Sequence, residues 1–477
     1  CFRLRHVYVP LTFEPAPKGK AMAGADLHSP LIDSRADLIE TMARGAKPES
    51  EWRVGTEHEK HVFHTNPLRP VTYGGKDGIR ALLDGMQAET GWTPFYDGEN
   101  PIGLRNDTVA GGISLEPGGQ FELSGEPQQD MHGTAAEMAE HMRVARKVGG
   151  ELGIHFLGLG VTPLWPVEQI HSMPKSRYGI MKPYMERVGT LGTSMMFRSA
   201  TVQANLDFSS EADMVKKLRV SLALQPVATA LFANSPFSEG KDSGYLSFRS
   251  HIWLNTDAAR TGMLPFAFEE GFGFEQYADY ALDVPMYFVI RNGQYVNVAG
   301  ESFRAFLKGE LPQLPGEKPT LKDWEDHLST LFPEVRLKQF LEMRGVDMGD
   351  EQSVTALSAF WTGLLYDKVS LEAAYELIEP WTEADREAMR NQVPRLGLNT
   401  PHDRSTLFDV AAQAVGIAEA GLVRRNRRNA EGKDESIYLA PLEETIRLAK
   451  SPAERWLEKF HGEWNGDVRP IFAEAER

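Results

Sequence analysis

The sequence contains a single cysteine, Cys1, among its 477 residues. No disulfide can form within the chain and no cysteine-based zinc site can be built, which is typical of a protein from a reducing compartment. No apolar run approaches the roughly 18 residues that a membrane helix needs. Prolines interrupt the N-terminal stretch, which is unlike a signal peptide. We therefore expect a cytoplasmic protein in which residues 1–28 form a poorly ordered tail.

Positive charge is also scarce in this chain. Lys and Arg number 51 against 67 Asp and Glu, which gives a formal net charge of -16. Such an excess of acid argues against nucleic acid and anionic membranes as partners. The patterns G-x-x-x-x-G-K-[ST] and G-x-G-x-x-G are absent as well, which excludes a P-loop and a Rossmann fingerprint. If a nucleotide binds, its phosphates must be held by metal ions and arginine side chains.

The patterns along the chain predict hairpins first and helices later. A turn at 117–119 separates two short strands, and Asn292-Gly293 is typical of a type I′ hairpin turn. After about residue 350 the apolar spacing is helical. This order favours an α+β fold with an antiparallel sheet. We expect one catalytic domain over residues 29–477, with the sheet within about 50–347 and a helical C-terminal region over about 348–477.

Acidic side chains recur on the same faces of three predicted strands. Residues two apart on a strand point to one side of the sheet, and neighbouring buried carboxylates repel each other unless a cation separates them. Mg²⁺ prefers carboxylate oxygens together with substrate phosphates. The pattern therefore predicts a magnesium site, although a solvated sheet face is the common alternative for any one pair. The acids concerned are Glu57, Glu59, Glu116, Glu122 and Glu342.

A second group of residues suggests a substrate pocket. Arg249 and Trp253 are four apart and would be neighbours on a helix. A guanidinium group suits a substrate carboxylate, and an aromatic ring suits an aliphatic stem. From the spacing alone, a surface arginine beside a half-buried tryptophan is the simpler interpretation.

Several long segments resemble the glutamate–cysteine ligase family, in the branch shared by plants and some proteobacteria. They are GTEHEK, GGQFELSG, MPKSRYGIMKPYM, TVQANLDF, RSHIW, FLEMRG and HGEW, in this order from about residue 50 onwards. The resemblance implies a glutamine-synthetase-like fold, in which an antiparallel sheet forms a funnel surrounded by helices. It also implies an activity: ATP phosphorylates the γ-carboxylate of L-glutamate, and the amine of L-cysteine then displaces phosphate. The product would be γ-glutamylcysteine, in the first step of glutathione biosynthesis.

The resemblance implies roles for individual residues too. The five glutamates would bind two or three Mg²⁺ ions, or Mn²⁺, together with Gln203, which stands where other branches have a metal-binding histidine. Arg344 would contact the transferred phosphoryl group. However, Glu334 and Arg336 form a second acid–arginine pair, so the choice between Arg336 and Arg344 as catalytic residues stays open. The substrate pocket would be formed by Arg177, Asn205, Arg249, Trp253 and Tyr287.

Plant members of the family carry cysteines that form regulatory disulfides, and this chain has none beyond Cys1. We therefore expect no internal redox switch and a monomer or weak homodimer, with glutamate, cysteine and ATP as its partners. Three alternatives stay open. The chain could be a related ATP-dependent carboxylate–amine ligase with a different amine acceptor, or a guanidino kinase. It could also be an inactive binding protein, although such a protein would be expected to lose the acids that are present here.

Overall fold

The computed structural model describes residues 29–476, so the predicted tail over residues 1–28 lies outside the described part. The strands are β1 Val54–Thr65, β2 Leu68–Pro70, β3 Thr93–Asp97, β4 Asn100–Arg105, β5 Gly112–Leu115, β6 Phe121–Ser124, β7 Ile154–Leu157, β8 Thr201–Leu206, β9 Phe237–Ser238, β10 Lys241–Asp242, β11 Thr261–Gly262, β12 Phe288–Arg291, β13 Gln294–Asn297, β14 Phe332–Pro333, β15 Val335–Leu337, β16 Leu341–Asp347, β17 Pro401–His402 and β18 Ser405–Thr406.

The α-helices are α1 Arg35–Ala43, α2 Ile79–Thr90, α3 Met131–Leu152, α4 Ser176–Val188, α5 Gly192–Arg198, α6 Glu211–Leu231, α7 Phe248–Leu254, α8 Phe274–Asp283, α9 Phe303–Leu307, α10 Leu321–Ser329, α11 Glu351–Leu365, α12 Lys368–Ile378, α13 Glu383–Leu396, α14 Leu407–Arg425, α15 Ala440–Leu448, α16 Pro452–His461 and α17 Ile471–Glu474. Within residues 29–476, no helix combines the length and the apolar character that crossing a bilayer requires.

A ten-stranded sheet organises these elements. Its main path runs β15-β16-β8-β1-β6-β5-β4-β3, and β2 and β7 pair with the second half of β1. The pairs along this path are antiparallel. The twelve-residue strand β1 is long enough to join both parts of the sheet, since its first half pairs with β6 and β8. The predicted α+β class with an antiparallel sheet is therefore confirmed.

Local sequence explains the hairpins. Asn292 and Gly293 both have positive φ angles, 51° and 73°, between the paired strands β12 and β13, as the type I′ turn requires. Gly119, with a φ of 84°, turns the chain between β5 and β6. The segment RLKQFLEMRGVD, residues 336–347, predicts a single strand, but the chain here forms two strands, β15 and β16, joined by a short turn.

Helices cover one face of the sheet. Helix α11 is buried continuously over residues 354–365, and it packs against β1, β8 and α14. A helix that is apolar all round belongs in a core, and this one lies between the sheet and the C-terminal helices. Helix α6 packs on β16 and begins at a serine cap, where the Ser210 side chain accepts a hydrogen bond from the Asp213 backbone N–H. The opposite face of the sheet is left for polar side chains.

Candidate active site

Polar side chains on this opposite face are in register across neighbouring strands. Glu57 on β1 lies opposite Gln203 on β8, and Glu59 on β1 lies opposite Glu122 on β6. Residues directly opposite each other have Cβ atoms about 4.5–5.5 Å apart and share one face of the sheet. The face that carries Glu57, Glu59 and Glu122 is called the carboxylate face below. Asn205, opposite Glu342 of β16, extends the same face.

Neutral groups supply the hydrogen bonds that hold these carboxylates. Asn205 Nδ2 donates to Glu57 Oε1 over 2.7 Å, and Ser114 Oγ donates to Glu122 Oε2 over 2.7 Å. A backbone N–H of β8 donates to Glu59 Oε2 over 3.0 Å. These contacts fix the position of each carboxylate without adding positive charge. Asn205, predicted to bind substrate, therefore orients an acid of the face.

Nearby cations, among them Lys338 and Arg249, compensate the charges of the carboxylates only in part. Burial raises the pKa of Glu57, and the negative charges of Glu342 and Glu122 raise it further. Burial also raises the pKa of Glu59 well above its ordinary value, with the charges of Glu122 and Glu116 acting in the same direction. The pKa of Glu122 is raised by burial and by Glu116. This is the electrostatic condition that a bound cation would relieve.

The donor set fits a divalent ion that shares its ligands with a substrate. Across residues 29–476, no three His, Cys, Asp or Glu side chains are grouped closely enough to hold a metal ion by themselves. Mg²⁺ is usually bound through one or two carboxylates plus substrate phosphates, and it keeps several waters. A row of buried carboxylates on one sheet face, with raised pKa values, matches that mode of binding.

Glu342 lies at one end of the face in a different environment. It is completely buried, and Arg336 binds it through Nε and Nη2 at 2.6 and 2.9 Å. Arg344 Nη1 is 2.8 Å from Oε1, and Lys338 Nζ is 3.6 Å from Oε2. Although burial opposes ionisation, the charges of Arg336, Lys338 and Arg344 hold the pKa of Glu342 below its ordinary value. Because guanidinium groups engage both oxygens, Glu342 anchors the arginines at this end of the face, and its role as a metal ligand stays a prediction.

The same contacts separate the two candidate catalytic arginines. Arg336 is buried and donates to the carbonyls of Ser329 and Leu331 in addition to Glu342, so its hydrogen-bonding groups are committed to the protein. Arg344 is partly exposed on the carboxylate face and also donates to Gln203 Oε1. The structure thus favours Arg344 over Arg336 as the group that meets a substrate. Glu334 does not pair with Arg336.

Arg344 lies on this face by simple alternation from Glu342, and a β-bulge follows it. The register between β16 and β8 shifts between Met343 and Val346, so that Arg344 and Gly345 together lie opposite Gln203. The extra residue reverses the alternation, as bulges next to active sites often do. Asp347 then lies on the carboxylate face, opposite Thr201.

Asp347 links this strand to helix α7. Its carboxylate accepts hydrogen bonds from Ser235 Oγ and Ser247 Oγ, each over 2.7 Å. Ser247 is the N-cap of α7, where its Oγ accepts from the backbone N–H of Ser250. The position of α7 is therefore tied to the end of β16.

Helix α7 carries Arg249 and Trp253, as their spacing predicts. Arg249 is only 2% exposed, so the interpretation of a surface arginine is wrong. Its guanidinium group lies 5.6 Å from the centre of the Trp253 ring, and Nη2 donates to the backbone carbonyl of Arg344 over 3.1 Å. Among the described residues, no hydrogen-bond partner reaches Arg249 Nε or Trp253 Nε1, although both are buried. Buried donors of this kind are costly, and a polar ligand would satisfy them.

Arg177 lies at the other end of the face. Its Nη2 is 3.7 Å from Glu116 Oε1, and its buried Nε has no protein partner within residues 29–476. Lys175, two residues earlier, is also buried, and burial together with the Arg177 charge lowers its pKa to about 8. Lys175 escaped the sequence analysis, although its place beside Arg177 in the MPKSRYG segment was a usable signal. Positive groups therefore flank the acidic row at both ends.

Tyr287 is not brought to this face. It is 1% exposed, its ring is edge-on to Tyr184, and the Arg260 guanidinium lies 3.8 Å from its ring centre. Its hydroxyl donates to Met185 Sδ at 3.6 Å. These contacts place Tyr287 in the core that supports α4.

The covered face of β1 holds a buried cation that sequence reasoning missed. Lys60 Nζ hydrogen-bonds His58 Nδ1 and lies 3.4 Å from His141 Nε2 on α3. Burial lowers the pKa of Lys60 to about 7, against the opposing charges of Glu122, Glu351 and Glu59. A lysine directly after Glu59 on a predicted strand was visible in the sequence, but its partner His141 depends on how α3 packs.

Comparisons with known proteins agree with this geometry. The model of "Glutamate-cysteine ligase family 2(GCS2)" matches residues 53–474. The chain is 53% identical over 441 residues to a chloroplastic glutamate–cysteine ligase of Brassica juncea, covering 92% of this chain and 84% of that protein. It is 50% identical, again over 92% of this chain, to chloroplastic glutamate–cysteine ligase B of Oryza sativa. A crystal structure of glutamate–cysteine ligase from Francisella tularensis in complex with AMP superposes with a TM-score of 0.52 at 11% identity, covering 89% of each chain.

These findings settle three predictions. The prediction of a cytoplasmic location is contradicted, because the curated relatives are chloroplastic enzymes. The glutamine-synthetase-like α+β fold is confirmed by the shared architecture of the Francisella tularensis enzyme. Since the family model covers most of the chain and the plant relatives share half of its residues, the protein belongs to glutamate–cysteine ligase family 2.

Proposed function

We propose that the protein joins the γ-carboxylate of L-glutamate to the amine of L-cysteine at the expense of ATP, giving γ-glutamylcysteine, ADP and phosphate. This is the first step of glutathione biosynthesis. The observation that carries the proposal is the register of Glu57, Glu59 and Glu122 on one face, flanked by Arg344 and Arg177, in a chain 53% identical to glutamate–cysteine ligases.

The first chemical step transfers the γ-phosphoryl group of ATP. An oxygen of the glutamate γ-carboxylate attacks the γ-phosphorus, and the bond from that phosphorus to the oxygen of ADP breaks. The protein forms no covalent bond in this step. It positions the reactants and stabilises negative charge on the phosphoryl oxygens. Arg344 supplies such a donor on the carboxylate face, held by Glu342 and Gln203.

We assign glutamate binding to the arginines whose buried N–H groups have no hydrogen-bond partner among the described residues. Arg249 and Trp253 present unpartnered N–H groups beside an aromatic ring, which suits a carboxylate on an aliphatic stem. Arg177 offers a further unpartnered N–H at the other end of the row. We assign these three residues to the glutamate pocket and Asn205 to the support of Glu57.

Divalent ions, Mg²⁺ or Mn²⁺, complete the site in this proposal. Once bound, they would neutralise phosphate charge and relieve the repulsion that raises the pKa values of Glu57, Glu59 and Glu122. We assign their protein ligands to Glu57, Glu59, Glu116, Glu122 and Gln203.

The second step forms the amide. The amine nitrogen of cysteine attacks the γ-carbonyl carbon of γ-glutamyl phosphate, the carbon–oxygen bond to phosphate breaks, and the nitrogen loses a proton. A related ligase with a different amine acceptor would share the first step and differ only here. This alternative is the second candidate function, because the carboxylate face would serve phosphoryl transfer whichever amine accepts the glutamyl group.

The test measures ADP release by the purified protein with ATP, Mg²⁺ and glutamate, with and without cysteine, and identifies the product by mass. We expect a γ-glutamylcysteine mass only when all components are present. The variant Glu57→Gln should abolish the product, whereas Glu140→Gln, an exposed substitution on α3, should not. Turnover with another amine but not with cysteine would overturn the acceptor, and no turnover with any amine would overturn the proposed function.

A further inference from the structure

The bulge at Arg344–Gly345 is enclosed by two polar side chains. A Cβ atom built on Gly345 would lie 2.5 Å from Glu334 Oε2 and 2.5 Å from Gln225 Nε2. Glu334 therefore rests directly on the backbone of the bulge, together with Gln225 of α6. A side chain at position 345 would displace Glu334 or Gln225, so glycine at this position lets both side chains lie against the bulge.

Glu334 is also bonded to the bulge through its main chain. Its backbone carbonyl accepts a hydrogen bond from the Arg344 N–H over 3.1 Å, and its own N–H donates to the Gly262 carbonyl over 2.9 Å. Its side chain is fixed from outside the sheet, since Arg390 Nε on α13 donates to Oε1 over 3.0 Å. Glu334 thus connects helix α13 to the residue that carries the Arg344 side chain.

The other neighbour of the bulge has no such anchor. Gln225 is 1% exposed, and among the described residues neither atom of its amide group has a hydrogen-bond partner. The Gln225 amide fills space beside Gly345 but fixes nothing. The Arg390–Glu334 ion pair is therefore the constraint on this side of the bulge.

The opposite side of the bulge is held by the substrate pocket. The carbonyl of Arg344 accepts hydrogen bonds from Arg249 Nη2 and from Thr201 Oγ1, over 3.1 and 3.2 Å. The backbone of Arg344 is therefore held on both sides: its N–H donates to Glu334, and its carbonyl accepts from Arg249 and Thr201. If Glu334 moved, the backbone of the bulge would move with it and the Arg344 side chain would turn away from Gln203 and Glu342.

We propose that Glu334, fixed by Arg390, is a positioning residue that holds the bulge and so aims Arg344 at the transferred phosphoryl group. This inference rests on the proposed function. It also gives a role to the acid of the second acid–arginine pair, Glu334 and Arg336. Glu334 does not bind Arg336; it binds Arg390 and supports the position of Arg344. Neither Glu334 nor Arg390 touches substrate in this arrangement.

The test compares Glu334→Gln, Arg390→Gln and Arg390→Lys in steady-state kinetics with ATP, glutamate and cysteine. Loss of a positioning contact costs about 10-fold in rate, because small displacements of a catalytic group are felt strongly. We expect kcat to fall about 10-fold in the two glutamine variants, with the KM values for ATP and glutamate within about 2-fold of wild type. Arg390→Lys keeps the charge near Glu334 and should recover part of the rate.

A double-mutant cycle with Arg344→Lys separates positioning from general stability. If Glu334 acts through Arg344, the Glu334→Gln change should reduce kcat much less in the Arg344→Lys background than in wild type. The matched control is Glu435→Gln, which breaks a buried pair with Arg425 away from the carboxylate face. This control should lower the thermal midpoint and leave kcat per folded molecule unchanged.

The outcomes are distinct. An active wild type with additive effects of Glu334→Gln and Arg344→Lys, or with unchanged kcat in both Arg390 variants, would overturn the positioning role alone. An inactive wild type would overturn the proposed function. If Glu334→Gln does not fold, the Arg390 variants decide, because Arg390 lies near the surface of α13 with its side chain 18% exposed.

Discussion

Arg249 and Arg344, 95 positions apart in the chain, meet where the Arg249 guanidinium donates to the Arg344 main-chain carbonyl over 3.1 Å. One arginine belongs to helix α7 and faces the proposed glutamate pocket, and the other belongs to strand β16 and faces the proposed phosphoryl group. The backbone of the second is thus part of the binding environment of the first. The Arg344 carbonyl therefore connects the proposed glutamate pocket to the residue proposed to contact the phosphoryl group.

The first prediction concerns Arg249→Lys. Lysine keeps the charge but loses the planar fork, so it cannot both bind the Arg344 carbonyl and reach a carboxylate in two-point fashion. We expect the KM for glutamate to rise about 10-fold, equivalent to about 1.4 kcal/mol, and the KM for ATP to change little. Initial rates at varied glutamate and varied ATP check this. An equal rise in both KM values would show that Arg249 serves the general structure of the site.

The second prediction concerns Glu57→Gln. The Glu57 carboxylate is buried near other acids, and its raised pKa reports that cost. Glutamine preserves the acceptor for Asn205 Nδ2 but removes the charge of the proposed metal ligand, so we expect activity to fall at least about 100-fold. It also removes the repulsion among the buried acids. The metal-free protein should become more stable by about 1 kcal/mol at pH 8. Kinetics and denaturant unfolding in the presence of a chelator measure the two effects, and loss of both activity and stability would contradict the prediction.

The third prediction concerns Glu342→Gln and has the opposite sign for stability. Removing this charge leaves Arg336, Arg344 and Lys338 without their common partner in a buried place. Breaking one side of a buried ion pair typically costs about 3–5 kcal/mol. We expect a large fall in the midpoint of denaturant unfolding. A midpoint equal to that of wild type would mean that solvent reaches this cluster and screens it.

The fourth prediction concerns pH and Glu137 on α3. Burial raises the pKa of Glu137 to about 7, while its Oε1 accepts a hydrogen bond from the Glu126 N–H over 2.7 Å. Because the folded pKa lies above the unfolded one, its contribution to stability is present below the unfolded pKa and is lost as pH rises towards 7 and beyond. Glu137→Gln should therefore gain stability relative to wild type at pH 8, by about 2 kcal/mol after screening.

Unfolding midpoints at pH 5 and pH 8 test this sign. At pH 5 the wild type and Glu137→Gln should be nearly equal, since the carboxyl group is neutral in the folded state. The control is Glu140→Gln, one turn along the same helix, where the carboxylate is exposed and paired with Arg143. A pH-independent difference between Glu137→Gln and wild type would refute the raised pKa.

How far the sequence predicts the site depends on the range of the interactions involved. The alternation of strand residues correctly placed Glu57 and Glu59 on one face, because that periodicity is local. The opposition of Glu59 to Glu122 depends on pairing between strands far apart in the chain, which no local pattern specifies. The helical spacing of Arg249 and Trp253 was likewise correct, but the burial of Arg249 follows from how α7 docks on β16.

The choice between Arg336 and Arg344 was beyond the sequence for a related reason. It depends on a short turn that splits one apparent strand into β15 and β16, and on the backbone carbonyls of Ser329 and Leu331, which bind Arg336. The pairing of Glu334 with Arg390 depends in turn on the docking of helix α13. The roles of Arg336, Arg344 and Glu334 are therefore set by contacts with residues from distant parts of the chain, which no local sequence pattern specifies.

The extra residue in β16 makes the length of this strand as informative as its composition. If the same residues were paired without a bulge, Gly345 would lie opposite Val202, so that Val346 would face the carboxylates and Asp347 would enter the apolar core. The bulge therefore keeps Glu342, Arg344 and Asp347 on one face although Glu342 and Asp347 are an odd number of positions apart. When a chain of this family is compared with this one, an odd separation between these two acids indicates that the strand needs the same bulge.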